Sequence, residues 1–254
     1  MYYNNIHIAY YLEIGAIGLI IGFFMSYISH RLEEKKKIFS LDFFGELKQG
    51  LPYSYLFMLL TAISYIGILY YVGFQNNFVK ILDLAKYMAI IPMLISVFVI
   101  DMKKRIIPNR LTLTMFEVGL IFTFLYGISN INIAADMLLG MLAGAGIFAI
   151  ITLVGGFLSG KEAMGLGDVK LMGALGLYFG VSAISAISIL SFFIGAIIGI
   201  FILIVRAIAR KKDSYIPFGP FIVIAAIILI FVPADFIYTV FLDFCERISL
   251  FLIS

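Results

Sequence analysis

Apolar stretches long enough to cross a lipid bilayer alternate with short polar segments along most of this chain. A spanning helix needs about 20 predominantly apolar residues. Tyr11 to Ser29 meets that length, and its Gly15, Gly18 and Gly22 predict close packing against a neighbouring helix. Residues 30–50 are polar and read as a solvated loop. Leu51 to Gly73 predicts a second span. The apolar run Tyr87 to Ile100 is short, so its helix is expected to start nearer Phe78. Pro108 disfavours helix at the residue before it, which puts the end of that element at Ile107. Leu111 to Ile128 and Ala134 to Leu158 predict two further spans, the second with a Gly140/Gly144 pair for packing. Leu171 to Gly180 is apolar but short, and suits only a thinned or protein-filled part of a membrane. Val181 to Ile208 reads as a long span, and Phe221 to Val232 begins the last one. Pro233 to Ser254 reads as a continued or interfacial helix. The expected architecture is all-α and polytopic, with about eight transmembrane helices in one domain, residues 1–254.

Composition sharpens this picture. Only 13% of residues are charged, against about a quarter in soluble domains. Hydrophobic residues make up 63% of the chain, and the mean hydropathy is +1.11. The single cysteine, Cys245, excludes an internal disulfide and a Cys-x-x-Cys metal site. Two histidines, His7 and His30, are too few for a His-based zinc centre. No bound metal is expected.

The net charge of +3 is small, but its distribution is informative. The loops after the first, third, fifth and seventh crossings hold Arg31, Lys35, Lys36, Lys37 and Lys48, then Lys103, Lys104, Arg105 and Arg110. Lys161 and Lys170 follow, then Arg206, Arg210, Lys211 and Lys212. Only Lys80, Lys86 and Arg247 of the 18 basic residues lie elsewhere. The positive-inside rule therefore assigns those loops to the cytoplasm and both termini to the outside. The basic residues form no clustered nucleic-acid footprint. Nothing basic precedes Tyr11 to Ser29, so that segment reads as a retained helix rather than a removed signal peptide.

Acids in so apolar a chain need a reason, because an unpaired carboxylate in or beside a bilayer is costly. Glu13 lies near the outer end of its span and reads as interfacial. Glu117 and Asp136 read as acids hydrogen-bonded within the bundle or reaching water, with proton relay as the other reading. Asp101 and Asp168 stand apart. Asp101 ends an apolar run. Asp168 lies in the glycine-rich hexapeptide Gly165-Leu-Gly-Asp-Val-Lys170, between two apolar stretches. Both fall on the basic, cytoplasmic face. Gly165 and Gly167 allow close backbone approach by a second group. If that group is the Asp101 carboxyl, the two would share a proton and could activate water. The hexapeptide lacks the spacing of a dinucleotide fingerprint and of a phosphate-binding loop. From these residues alone an aspartyl protease and an ion-coupled transporter are both open, since transporters also use acids and glycine-broken helices. The location of both acids at helix ends on one side, and the lack of an obvious repeat of halves, weigh against transport.

Four stretches, in order, resemble the type IV prepilin peptidases, a family of membrane aspartyl proteases. Gly22-Phe-Phe-Met-Ser-Tyr-Ile-Ser-His-Arg31-Leu32 is similar to the family's first-helix motif, with Ser26 where an Asn is usual. Asp101 followed by Ile107-Pro108-Asn109 resembles the first catalytic-aspartate motif. Met164-Gly-Leu-Gly-Asp168-Val-Lys170-Leu171 is a near-complete match to the second. Ile216-Pro-Phe-Gly-Pro220 resembles a late cytoplasmic motif. The first-helix motif favours the bacterial branch over the archaeal preflagellin peptidases.

The resemblance implies a Gly-x-Gly-Asp aspartic endopeptidase in the bacterial inner membrane, with Asp101 and Asp168 as the catalytic pair. Gly165, Gly167 and Lys170 would support the site. Lys170 would be either a positive neighbour of Asp168 or an anchor at the membrane face. The implied substrates are prepilins or pseudopilins, each with a short leader before an apolar helix, and membrane lipid is the other partner. Many bacterial members carry paired Cys-x-x-Cys motifs in the first loop and also methylate the new N-terminus from S-adenosylmethionine. Those cysteines are absent from residues 30–50, so the metal-bound version of that loop is not expected and methyl transfer stays open. Proteolysis itself needs no cofactor. The presenilin-like proteases also use Gly-x-Gly-Asp, but their late Pro-Ala-Leu motif is absent here.

Overall fold

The computed structural model describes residues 2–3, 6–34, 54–73, 77–159, 164–208 and 216–253. The polar loop expected over 30–50, Lys161 and the basic residues Arg210, Lys211 and Lys212 lie largely or wholly outside these residues. Among the described residues eight helices carry the fold: α1 (Ile8–Glu33), α2 (Ser54–Val72), α3 (Phe78–Lys104) and α4 (Asn109–Ser129). After them come α5 (Ile131–Ser159), α6 (Leu166–Ile208), α7 (Gly219–Phe231) and α8 (Ala234–Ile253). The all-α expectation holds for the bundle. The exception among the described residues is a small antiparallel ribbon, Tyr2–Tyr3 with Ile6–His7, ahead of α1.

The helix ends follow local chemistry. His7 caps α1, its Nδ1 accepting the Ala9 N–H at 3.3 Å. Asn77 caps α3 through Val79 N–H at 3.1 Å, so α3 starts at Phe78, as its short apolar run required. Its end differs from expectation. α3 stops at Lys104, before Ile107, because Arg105 takes a left-handed backbone (φ 58°) and its N–H closes onto the Asp101 carbonyl at 2.8 Å. Pro108 instead caps the start of α4, where a residue with no N–H leaves no donor unsatisfied.

Large apolar side chains point outward along much of the bundle, including Leu12 and Ile20 on α1, Ile63 on α2, Phe124 on α4 and Phe157 on α5. A water-soluble fold hides such residues, and a lipid-facing surface displays them. Six described helices are long and apolar enough to cross a membrane, or seven if the bent pair α7 and α8 makes one span. The chain is a multi-pass membrane protein.

The expectation of eight takes the two apolar runs of α6 separately, whereas the count above takes α6 as one helix and α7 with α8 as the seventh span. The 43 residues of α6 would run roughly 65 Å if straight, but Gly180 breaks the helix with φ 74° and ψ −178°, a conformation essentially confined to glycine. The chain turns back there. Gly144 of α5 is bordered by both the Met172 carbonyl and the Ile184 side chain. Those two positions would lie about 18 Å apart on a continuous helix. The first arm, 166–179, is therefore separate from the second, 181–208. It is only about 21 Å long, short of a full crossing by itself. Residues 171–178 are buried, packed against α4 and α5. This is the protein-filled environment that its short apolar run called for.

The core surrounds that arm. Ile90, Ile91, Leu94 and Ile100 of α3, Met115 of α4, Leu175 and Tyr178 of α6 and Ile222 of α7 are almost wholly inaccessible. The glycine faces predicted on α1 and α5 sit against α2 and α6 respectively, close enough that a methyl group at Gly22 or Gly144 would meet backbone atoms. At the end of the bundle away from Asp101, Lys86 is buried between the Tyr87 and Tyr126 rings. It pairs with Asp83 at 3.4 Å, and Asp83 also accepts the Tyr126 hydroxyl at 2.6 Å. The segment after Pro233 is a helix, bent 116° from α7. It lies against the second arm of α6, with the Tyr238 hydroxyl donating to the Ser182 carbonyl at 2.7 Å.

Candidate active site

Three polar breaks meet at one end of the bundle: the turn between α3 and α4, the start of α6 and the start of α7. Asp101 is on the last turn of α3, directly after Ile100, and is 4% exposed. The next residues, Met102, Lys103 and Lys104, point out to the surface. Asp168 is in the first turn of α6 and is 7% exposed. Each carboxylate accepts a backbone N–H from a glycine at a helix start. Gly165 serves Asp168, and Gly219 serves Asp101. The first of these is a local cap within one turn. The second crosses between helices.

Both carboxyls open onto one cavity of about 320 Å³. This is at the lower end of the range for ligand sites. The two acids are close enough for the charge on Asp101 to act on Asp168. Gly165, Gly167 and Lys170 also line the cavity, so every residue that the sequence nominated for the site borders it. Ile107 wedges between two glycines of different helices. A Cβ on Gly167 would lie 3.2 Å from Ile107 Cβ, and one on Gly219 3.3 Å from its Cδ1.

Lys170 resolves into a tie between segments. Its Nζ donates to Asn109 Oδ1 at 2.9 Å, linking the start of α6 to the start of α4 across the cavity mouth. That bond ties α6 to the α3–α4 turn, a contact that neither expected role of Lys170 describes.

Sequence reasoning missed several contributors. Arg105 and Phe218 line the cavity, and neither had been nominated. Glu33, at the end of α1, pairs with Lys103 at 3.2 Å and Lys104 at 3.8 Å, bracing the helix that carries Asp101. The opposite charges were visible in the sequence, but nothing local joined them. The remaining acids stay away from the cavity. Glu13 and Glu117 are exposed on α1 and α4. Asp136 is exposed at the other end of the bundle, where its Oδ1 accepts the Val181 N–H at 3.2 Å just after the Gly180 break. That is the hydrogen-bonded reading of this acid. Among the described residues no group of three His, Cys, Asp or Glu side chains converges as a metal site would require.

Comparison with known proteins gives a consistent set of likenesses. The sequence profile of the type IV leader peptidase family matches residues 88–200, which include both Asp101 and Asp168. A prepilin leader peptidase/N-methyltransferase of Aeromonas hydrophila is 36% identical over 132 residues, covering 52% of this chain and 44% of the relative. One from Xanthomonas campestris is 34% identical over 141 residues, covering 54% and 46%. Leader peptidase HopD of Escherichia coli is 32% identical over 140 residues, covering 53% of this chain and 84% of the relative. The matched stretch thus spans less than half the length of the Aeromonas and Xanthomonas proteins. No solved structure matches.

Proposed function

The chain belongs to the type IV leader peptidase family, and on that premise we propose that it is a membrane aspartic endopeptidase that removes the leader from prepilins or pseudopilins. The observation that carries the reading is the meeting of two buried carboxyls, from α3 and α6, on the wall of one cavity.

Two adjacent carboxylates resist being ionised together, so a pair sharing one proton is the working state. The ionised member takes a proton from a water molecule as the water oxygen attacks the scissile carbonyl carbon. The protonated member donates a hydrogen bond to the carbonyl oxygen, where negative charge develops. Collapse of the tetrahedral intermediate breaks the C–N bond, and a carboxyl proton goes to the leaving amine. The apparent titration belongs to the pair rather than to either residue. Burial keeps bulk water away, which strengthens each of these interactions.

The basic loops next to Asp101 and Asp168 support a site at the cytoplasmic face of a bacterial inner membrane. A substrate helix would stay in the lipid while its leader lies at the interface, where the cavity opens. Cysteine-accessibility labelling at Lys36, Lys104, Lys161 and Lys211 tests the orientation. Labelling of any of them by an impermeant reagent from outside overturns it.

The names of the Aeromonas and Xanthomonas relatives include N-methyltransferase. In this chain that activity would need S-adenosylmethionine as methyl donor, and no described residue is assigned to holding it. One experiment reads both activities. Purified protein is incubated with a prepilin from the same genome, with and without S-adenosylmethionine, and the product mass is measured. Loss of the leader establishes cleavage, and an added methyl mass establishes transfer. Uncleaved substrate, with proton-driven uptake by the same protein in liposomes, replaces the peptidase with a transporter.

A further inference from the structure

The late motif Ile216 to Pro220 enters no step of the reaction above, yet its backbone touches Asp101. Phe218 caps α7, and Gly219 and Pro220 open it. The first N–H groups of a helix have no acceptor within the helix. Pro220 has no N–H, so Gly219 supplies the donor at this start, and that donor is spent on the Asp101 carboxylate.

The space around Gly219 is closed. A Cβ there would lie 2.5 Å from Asp101 Oδ2, 3.2 Å from its Cγ and 3.3 Å from Ile107 Cδ1. No side chain fits unless the carboxylate or the start of α7 moves. Gly165 offers the contrast. A Cβ there would sit 3.5 Å from Asp168 Oδ2, an ordinary contact. Of the two glycines that serve the acids, Gly219 is the one whose bareness the carboxylate requires.

We infer that Gly219 is a positioning residue for Asp101: its N–H at the start of α7 fixes the carboxylate's orientation and favours its ionised form, making α7 the third element of the site. This rests on the two-carboxylate reading above. An anion at a helix start is stabilised by the free N–H groups and the helix dipole together. Among the described residues, the other charged groups on the cavity that Asp101 borders are Asp168 of α6, Arg105 and Lys170. None of these three comes from α7. The packing explains why the motif lies so far along the chain from the acid it serves. α7 packs against both α3 and α6, so its start falls between their ends.

The test is Gly219→Ala in the full chain, assayed for leader cleavage per mole of monodisperse purified protein. A misplacement of about 1 Å at a reacting group costs on the order of 10²-fold, so kcat is expected to fall by that order with KM unchanged. Gly195→Ala is the packing control. Its added methyl would press on Phe218 and Phe221 of the same helix start at 3.1 Å without reaching Asp101, and it is expected to keep wild-type kcat. The infrared difference between wild type and Asp101→Asn reads the Asp101 carboxyl directly. A hydrogen-bonded carboxylate band is expected in wild type and in Gly195→Ala, and its shift or loss in Gly219→Ala. Wild-type kcat in Gly219→Ala, or an unaltered band, overturns the inference. Should Gly219→Ala not accumulate, the wild-type spectrum decides, and a protonated or unbonded Asp101 there is equally fatal. If Asp101→Asn itself cleaves normally, it is the peptidase reading that fails. If Asp101→Asn is inactive and Gly219→Ala is not, only the role of Gly219 falls.

Discussion

Asp168 and Asp136 occupy opposite ends of the bundle and are alike in one respect, each an acid that meets a glycine where an arm of α6 begins. Asp168 is buried beside Gly165 in the first turn of the first arm. Asp136 is exposed and accepts the Val181 N–H in the first turn of the second arm. At Gly180 even a Cβ would collide with the Asp136 carboxylate. Both follow the same rule, that helix starts attract negative charge. What separates them is the second acid. At one end α3 delivers Asp101 to the same cavity as Asp168. At the other, Asp136 holds a turn together and remains in contact with its surroundings. An acid beside a glycine in a membrane protein is therefore a helix-start feature first, and becomes a candidate site only where another helix brings its partner.

The sharpest way to break this contrast is to remove the proton-carrying groups. Asp101→Asn and Asp168→Asn should each reduce leader cleavage by about 10²–10⁴-fold or more, with the protein still in the membrane. Asp→Glu at either position should fail nearly as badly, because the added methylene moves the carboxyl beyond the roughly 0.5 Å that a catalytic site tolerates. Quantitative cleavage assays at matched expression decide it. If Asp101→Asn is active, the two-carboxylate reading fails, because Asp136 and Glu117 lie away from the cavity that holds Asp168.

An intermediate effect is expected where the cavity end is tied rather than charged. Lys170→Ala removes the bond to Asn109, worth about 0.5–1.5 kcal/mol. Cleavage should fall by roughly 2- to 10-fold, which is the same energy expressed as a rate. A loss as large as that of the aspartates would instead make Lys170 a participant in the chemistry.

The smallest effects on catalysis belong to the far end. Gly180→Ala forces an alanine into a backbone region nearly closed to it, costing about 1–3 kcal/mol of stability. Asp136→Asn loses a charge at a helix start, about 0.3–1 kcal/mol. Thermal unfolding in detergent should register both, while cleavage per folded molecule stays near wild type in each. Glu13→Gln and Glu117→Gln should change neither quantity measurably. Loss of cleavage in folded Asp136→Asn would erase the distinction between the two ends.

Much of this protein was legible one segment at a time. The long apolar runs report the solvent each helix faces, and a bilayer leaves a backbone few options besides helix. The α3 start at Phe78 followed from the length of its apolar run. The apolar run before Gly180 was too short for an ordinary crossing and suited only a thinned or protein-filled part of a membrane, and the arm it forms is enclosed by protein. The polar hexapeptide around Asp168 stood out because charge in an apolar context is costly unless it has work to do. Each of these signals is carried within a few residues, and each reflects transfer from water.

Other features needed the helices to be assembled. Whether α6 is one span or two arms turns on a reversal at one glycine that hydropathy reads as apolar chain. Which acids meet depends on how α3, α6 and α7 cross, and no local pattern encodes that. The Lys170–Asn109 bond joins residues 61 positions apart, and the Glu33–Lys103 pair joins residues 70 apart. Gly219 illustrates the division most plainly. The sequence determined that a glycine stands before Pro220 at the head of an apolar helix. Only the packed bundle decided that the missing side chain leaves room for Asp101, because that contact exists only once α3 and α7 are pressed together.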